Sequence, residues 1–162
     1  LSDVGWRNFL PKPEARLVHS IAFMGDIGYV AIDGTDPVMR ILQKWQQKIG
    51  PDGTVLFLGD NLYPVGLPAE SHRHYPAAKE RLDFLLGQMG TYAGRKIFLS
   101  GNHDWNKGRK RGLEYVLRQE KYVVDPLQDE NSYLPRHGCP GPDAIQLADG
   151  LLLVIINTQW WV

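Results

Sequence analysis

Three oxygen-bearing side chains follow a glycine at the end of an apolar run: Asp26 in AFMGDIG, Asp60 in VLFLGDNLY and Asn102 in IFLSGNHDW. Carboxylates and carboxamides are hard donors of the kind that divalent and trivalent cations take. A carboxylate left unpaired in a protein interior is costly, so such groups converging at strand ends need a shared partner. The glycine ahead of each lets the chain turn and approach closely without a Cβ in the way. A carboxylate bridging two ions holds them roughly 3.5–4 Å apart, an arrangement that acidifies water and clamps phosphate oxygens during in-line displacement. His103 follows Asn102 directly and is of the type that stabilises or protonates a leaving oxygen. Asp104 stands beside it to orient the ring.

These residues must be held in place by the elements around them. After an irregular lead-in over residues 1–15, residues 17–26 read as a buried strand that stops at a glycine turn. Asp36-Pro37 opens a helix through about residue 48, with Val38, Ile41, Leu42 and Trp45 at helical spacing. Residues 54–61 form a second strand, residues 77–89 a second helix, and residues 95–104 a third strand. A third helix spans about 112–120, followed by a strand-rich, turn-punctuated tail. Strands alternating with helices in this way predict parallel β-α-β units, in which ligands collect at the carboxyl ends of the strands.

The ordered set GDIG, GDNLY and GNHD resembles the calcineurin-like metallophosphoesterase superfamily, and LFLGDNLYPVG with GNHDW is closest to its purple acid phosphatase branch. The resemblance covers residues 17–105. It implies an α/β/β/α sandwich and a hydrolase that cleaves phosphate monoesters by attack of a metal-bound hydroxide on the phosphorus. It further implies that Asp26 binds the first of two metal ions, Asp60 bridges both, Asn102 binds the second and His103 meets the scissile phosphate. Tyr63 matches the tyrosinate that binds ferric iron in the purple branch, so the pair would be iron with zinc, manganese or a second iron. Many superfamily members carry Asp-x-His in the first motif. Here Asp26-Ile27-Gly28 departs from that pattern in the way the purple branch does.

The superfamily completes its metal site with three further histidines, and none follows His137 here. Residues 1–162 are therefore expected to be the N-terminal half of one such domain, truncated at its C-terminal end, with further domains possible beyond and little activity alone. A weaker resemblance of CPGP and NTQWW to bacterial phosphoesterase domains joined to an outer-membrane barrel keeps a rival open. In that rival the chain is a non-catalytic module of a larger, membrane-associated assembly. A phosphodiester substrate is a third reading. The resemblance favours an extracytoplasmic location, which the single cysteine, Cys139, does not decide.

The partner expected is a phosphorylated small molecule or protein. Eighteen basic and eighteen acidic residues balance, so no general attraction to nucleic acid is indicated. The apolar run at residues 151–156 is far too short to span a membrane. Asn61, next to Asp60, and Arg109, first of a basic run with Lys110 and Arg111, are the candidate substrate-binding residues. A solvated loop end is the alternative for that run. His72 and His74 in SHRHY are expected to be loop or rim residues, His19 a hydrogen-bonded sheet residue, and His137 a turn residue.

Overall fold

A computed structural model describes residues 16–161; the lead-in over residues 1–15 lies outside them. The apolar runs and amphipathic stretches become β1 (Ser20–Met24), α1 (Pro37–Ile49), β2 (Gly53–Phe57), α2 (Tyr75–Met89), β3 (Arg95–Phe98) and α3 (Gly112–Leu127). The three strands pair in parallel in chain order, with Ala22 opposite Val55 and Val55 opposite Lys96. A hairpin of β4 (Asp143–Ala148) and β5 (Leu151–Ile155) follows. No helix among the described residues is long and apolar enough to cross a membrane.

α1 begins for a local reason. Asp36 caps α1, its carboxylate accepting from the amides of Val38 at 2.9 Å and Met39 at 3.2 Å, a contact worth about 1 kcal/mol. Pro37 occupies the first position, where its missing N–H costs nothing. α3 runs further than residue 120 because its buried stripe of Val116, Gln119, Glu120 and Val123 continues past that point. Pro126 falls in the last turn, where it removes one bond instead of breaking the helix, and Gln128 in left-handed backbone ends it.

The strands alternate their side chains between two packed layers. Met24, Val55, Phe57 and Phe98 face the helices and meet Met39, Leu42, Leu82, Leu85, Val116 and Val123. Phe57 and Phe98 stack with ring centroids 4.2 Å apart. Leu56 and Ile97 face the other way, against Leu147 and Ile155 of the hairpin and Leu134. β2 is buried along its whole length, which is why it reads as a continuous apolar run instead of an alternating one. The result is a mixed α/β fold with a parallel sheet between a helical layer and a β-hairpin.

All three strands are shorter than the sequence pattern predicts, for one shared reason. Pairing continues one step past the ends of β2 and β3, Leu58 donating to the Met24 carbonyl and Leu99 to the Phe57 carbonyl, both at 2.8 Å. Beyond that step the chain leaves extended geometry, and Asp26 and Asp60 both take left-handed backbone, φ 55° and 53°.

Candidate metal centre

The turns after β1, β2 and β3 lie side by side at the carboxyl end of the sheet. Asp26 donates its amide to the Gly59 carbonyl at 3.3 Å, and Gly28 donates to the Asp60 carbonyl at 3.0 Å. Tyr63 leans back across this pair of turns. Its phenol lies 2.7 Å from Asp26 Oδ1 and 3.1 Å from Asp60 Oδ2, so a single O–H is shared between two carboxylates. Burial, followed by those hydrogen bonds, pushes the phenol above its ordinary range. The Tyr63 ring is stacked on exposed Tyr29 at 4.2 Å and meets the His103 ring edge-on at 4.1 Å.

The first-motif departure has a steric counterpart. A Cβ at Gly28 would overlap the Tyr63 ring and sit 2.9 Å from the Asp60 carbonyl oxygen. The tyrosine ring thus fills the space that any side chain at position 28 would need. Between the second and third turns the fit is tighter still. Gly59, at φ 103°, faces Gly101, and a Cβ at Gly101 would overlap Asp60 Oδ1 and come within 2.5 Å of the Asp60 amide nitrogen. Gly25, by contrast, meets nothing within 4 Å, so close approach is not what calls for a glycine in the first motif.

Asp104 and Asn61 are placed differently from the sequence expectation. Asp104 is fully buried and turns away from the histidine ring. Its Oδ2 accepts from Gly101 N at 2.8 Å, Asn61 N at 3.3 Å and Asn61 Nδ2 at 3.2 Å, tying the second and third turns together. The ring of His103 is oriented instead by Pro64, whose carbonyl oxygen lies 2.9 Å from Nδ1. A carbonyl only accepts, so Nδ1 carries the proton and Nε2 is left for chemistry. The His103 amide also donates to Asp60 Oδ1 at 2.9 Å. Asn61 is completely buried and spends its amide on the Leu99 carbonyl at 2.7 Å and on Asp104, so it supports the turn from inside instead of facing a substrate.

Burial of Asp104 predicts a pH effect on stability. Its carboxyl is pushed up to about 7, chiefly because burial penalises the charged form; the bonds from Gly101 and Asn61 and the nearby Gln119 amide oppose this, and the charge of Asp60 adds to it. The ordinary value is 3.8, so the folded chain holds this proton more tightly than the unfolded one. The contribution is full below about pH 4 and is lost as the pH rises through about 7. The thermal midpoint of the metal-free chain should therefore fall from about pH 5 to about pH 7.5, and Asp104→Asn should remove that component. An Asn variant whose midpoint follows the same pH dependence would contradict this assignment.

Asp26, Asp60 and Asn102 share the wall of a cleft of about 920 Å³ that continues along Ser100, Lys107, Asn157 and Gln159. Arg109 is not in that wall; it edges a smaller depression beside Trp105, Leu113 and Trp160. The cation in the cleft is Lys107, two residues earlier. Ser100 is held by Trp105 Nε1 at 2.9 Å and Asn157 Nδ2 at 3.0 Å. Sequence reasoning passed over Lys107, Ser100, Asn157 and the Pro64 carbonyl. Only Lys107, inside GNHDWNKG, carried a signal by its nearness to the motif.

The remaining histidines stand elsewhere. His72 and His74 lie 5.3 Å apart, ring to ring, in the loop before α2. His19 meets Thr54 Oγ1 at 2.9 Å across β1 and β2. His137 sits in a left-handed turn, donating its amide to Glu120. Among the described residues no three His, Cys, Asp or Glu side chains are grouped to hold a metal. The donors that do converge are two carboxylates and a phenol, with a carboxamide on the same cleft wall. An all-oxygen set that gathers negative charge around one proton fits a hard cation.

The family model of the calcineurin-like phosphoesterases matches residues 19–156, a span that takes in all three turns and the hairpin. No match was found among characterised proteins or among solved structures.

Proposed function

The chain belongs to the calcineurin-like phosphoesterase family, whose members are metal-dependent hydrolases of phosphate esters, and from that premise we propose a phosphomonoesterase of the purple acid phosphatase type that works with two metal ions. The observation that carries this reading is the Tyr63 phenol shared between Asp26 and Asp60. Asp26 and Tyr63 would hold one ion, Asp60 both, and Asn102 the second. The phenol, once deprotonated, favours ferric iron, with zinc, manganese or iron as the companion. When bound, the ions would supply positive charge against the phosphate oxygens and lower the pKa of the attacking water.

The protein's own residues account for the rest of the chemistry. His103 is fixed twice, through its amide to Asp60 and through Nδ1 to Pro64. Nε2 is therefore the atom to meet the phosphate, and with the ring in its imidazolium form, Nδ1–H still on Pro64, it is Nε2 that gives a proton to the leaving oxygen. Asp104 keeps the two turns in register from within the core, so that the donors keep their spacing while the substrate binds.

Elemental analysis with a visible absorption spectrum, on the full-length wild-type protein and its Tyr63→Phe variant, tests this reading. Two ions per chain, one of them iron, with an absorption band that disappears in Tyr63→Phe, is the expected result. Two ions without any band would keep the phosphoesterase and remove Tyr63 from the ligands. A chain that takes up no metal at all would overturn the reading in favour of a non-catalytic module.

A further inference from the structure

The cleft beside the carboxylates carries charge at three places among the described residues: Asp26 and Asp60 at the strand ends, and Lys107. The side chain of the lysine is exposed, but its backbone is held firmly at the cleft wall. Its amide donates to the Asn102 carbonyl at 2.8 Å, and the neighbouring amides of Asn106 and Gly108 donate to His103 at 3.0 Å and Trp105 at 3.1 Å. This turn places Asn106, Lys107 and Gly108 all in left-handed backbone, φ 55°, 57° and 69°. Such a conformation is unfavourable for a lysine and persists only where the surroundings hold it.

The Lys107 ammonium pairs with no carboxylate among the described residues, whereas Arg111 and Arg118 both reach Glu114. A flexible, strongly hydrated point charge in a cleft suits a second anionic group without demanding one geometry. Ser100, Asn157 and Gln159 line the same cleft with neutral polar groups, and its two carboxylates, Asp26 and Asp60, are those assigned to the metal ions.

We infer that Lys107 is a specificity-determining residue that selects phosphate esters carrying a second anionic group, a carboxylate or a further phosphate, on the side away from the scissile bond. The inference rests on the phosphoesterase reading above for the position of the ester phosphate, and it adds the class of leaving group.

3-Phosphoglycerate and glycerol 3-phosphate form a matched pair, alike except that a carboxylate in one is a hydroxymethyl in the other. Equilibrium binding by calorimetry and kcat/KM for phosphate release are measured for both, with the metal-loaded full-length protein as wild type, Lys107→Gln and Lys107→Arg. The wild type should favour the carboxylate by about threefold in both readouts, the size of one solvent-exposed charge pair. Lys107→Gln should abolish that preference and Lys107→Arg should keep most of it. A wild type without the preference, or a Lys107→Gln variant that retains it, would overturn the inference. If the binding preference follows Lys107 but neither ester releases phosphate, the anion subsite stands and the phosphoesterase reading falls.

Discussion

Asp60→Asn should reduce phosphate release by at least about a thousandfold while the chain still folds, because the change removes a charge and very little else. Asparagine tolerates left-handed backbone nearly as well as aspartate, so φ 53° at position 60 is not a new strain. Its amide oxygen can still accept from the His103 amide, now 2.9 Å from Asp60 Oδ1. The Tyr63 phenol retains its 2.7 Å bond to Asp26. What disappears is the negative charge on the one carboxylate that meets both the Tyr63 phenol and the His103 amide of the third turn. Turnover, metal content and thermal midpoint measured on the same preparation separate the possible outcomes. Lost activity and lost metal, with a midpoint equal to that of the metal-free wild type, is the expected combination. Near-wild-type turnover would remove Asp60 from the centre of the mechanism.

Gly101→Ala should be nearly as damaging, although it touches no charge. The added methyl would overlap Asp60 Oδ1 and press on the Asp60 amide 2.5 Å away, while Gly59 blocks retreat from the opposite side. Backbone meets backbone there, so no rotamer change relieves the contact. Overpacking of this kind costs about 1–3 kcal/mol. In a chain of this size that lowers the midpoint by about 2–4 °C per kcal/mol. A displacement of about 1 Å between Asp60 and Asn102 is enough for a loss of about a hundredfold in rate. Gly25→Ala is the control for stability, since its methyl meets nothing within 4 Å. If Gly101→Ala matched that control in midpoint and activity, the two turns would not be in the contact described.

The parts of the fold legible in the sequence were those with local causes. Asp36-Pro37 announced α1 because the cap and the first helical residue are neighbours in the chain. The three apolar runs announced a parallel sheet, most clearly at β2, which is buried on both faces and has no polar alternation to hide it. α3 was read too short because Gln119 and Glu120, polar by type, lie on its buried face. The spacing of the motifs also located the turns that carry Asp26, Asp60, Tyr63, Asn102 and His103.

The sequence could not say which way a side chain leaves a turn. Asn61 and Asp104 sit beside Asp60 and His103 in the chain, and both were expected to face the site. Left-handed backbone at Asp60 and the tight turn through Gly101 send them into the core, where they bond to each other. The same effect moves the cleft's cation from Arg109 to Lys107, because three consecutive left-handed residues reverse the chain at that point. By itself the sequence determined the types of donor this protein presents and the strand ends that present them, since both follow from residue identity and local periodicity. Only the tertiary structure decided which donors meet, because the Tyr63 phenol reaches two carboxylates from turns on different strands, and that contact exists only once the strands are paired.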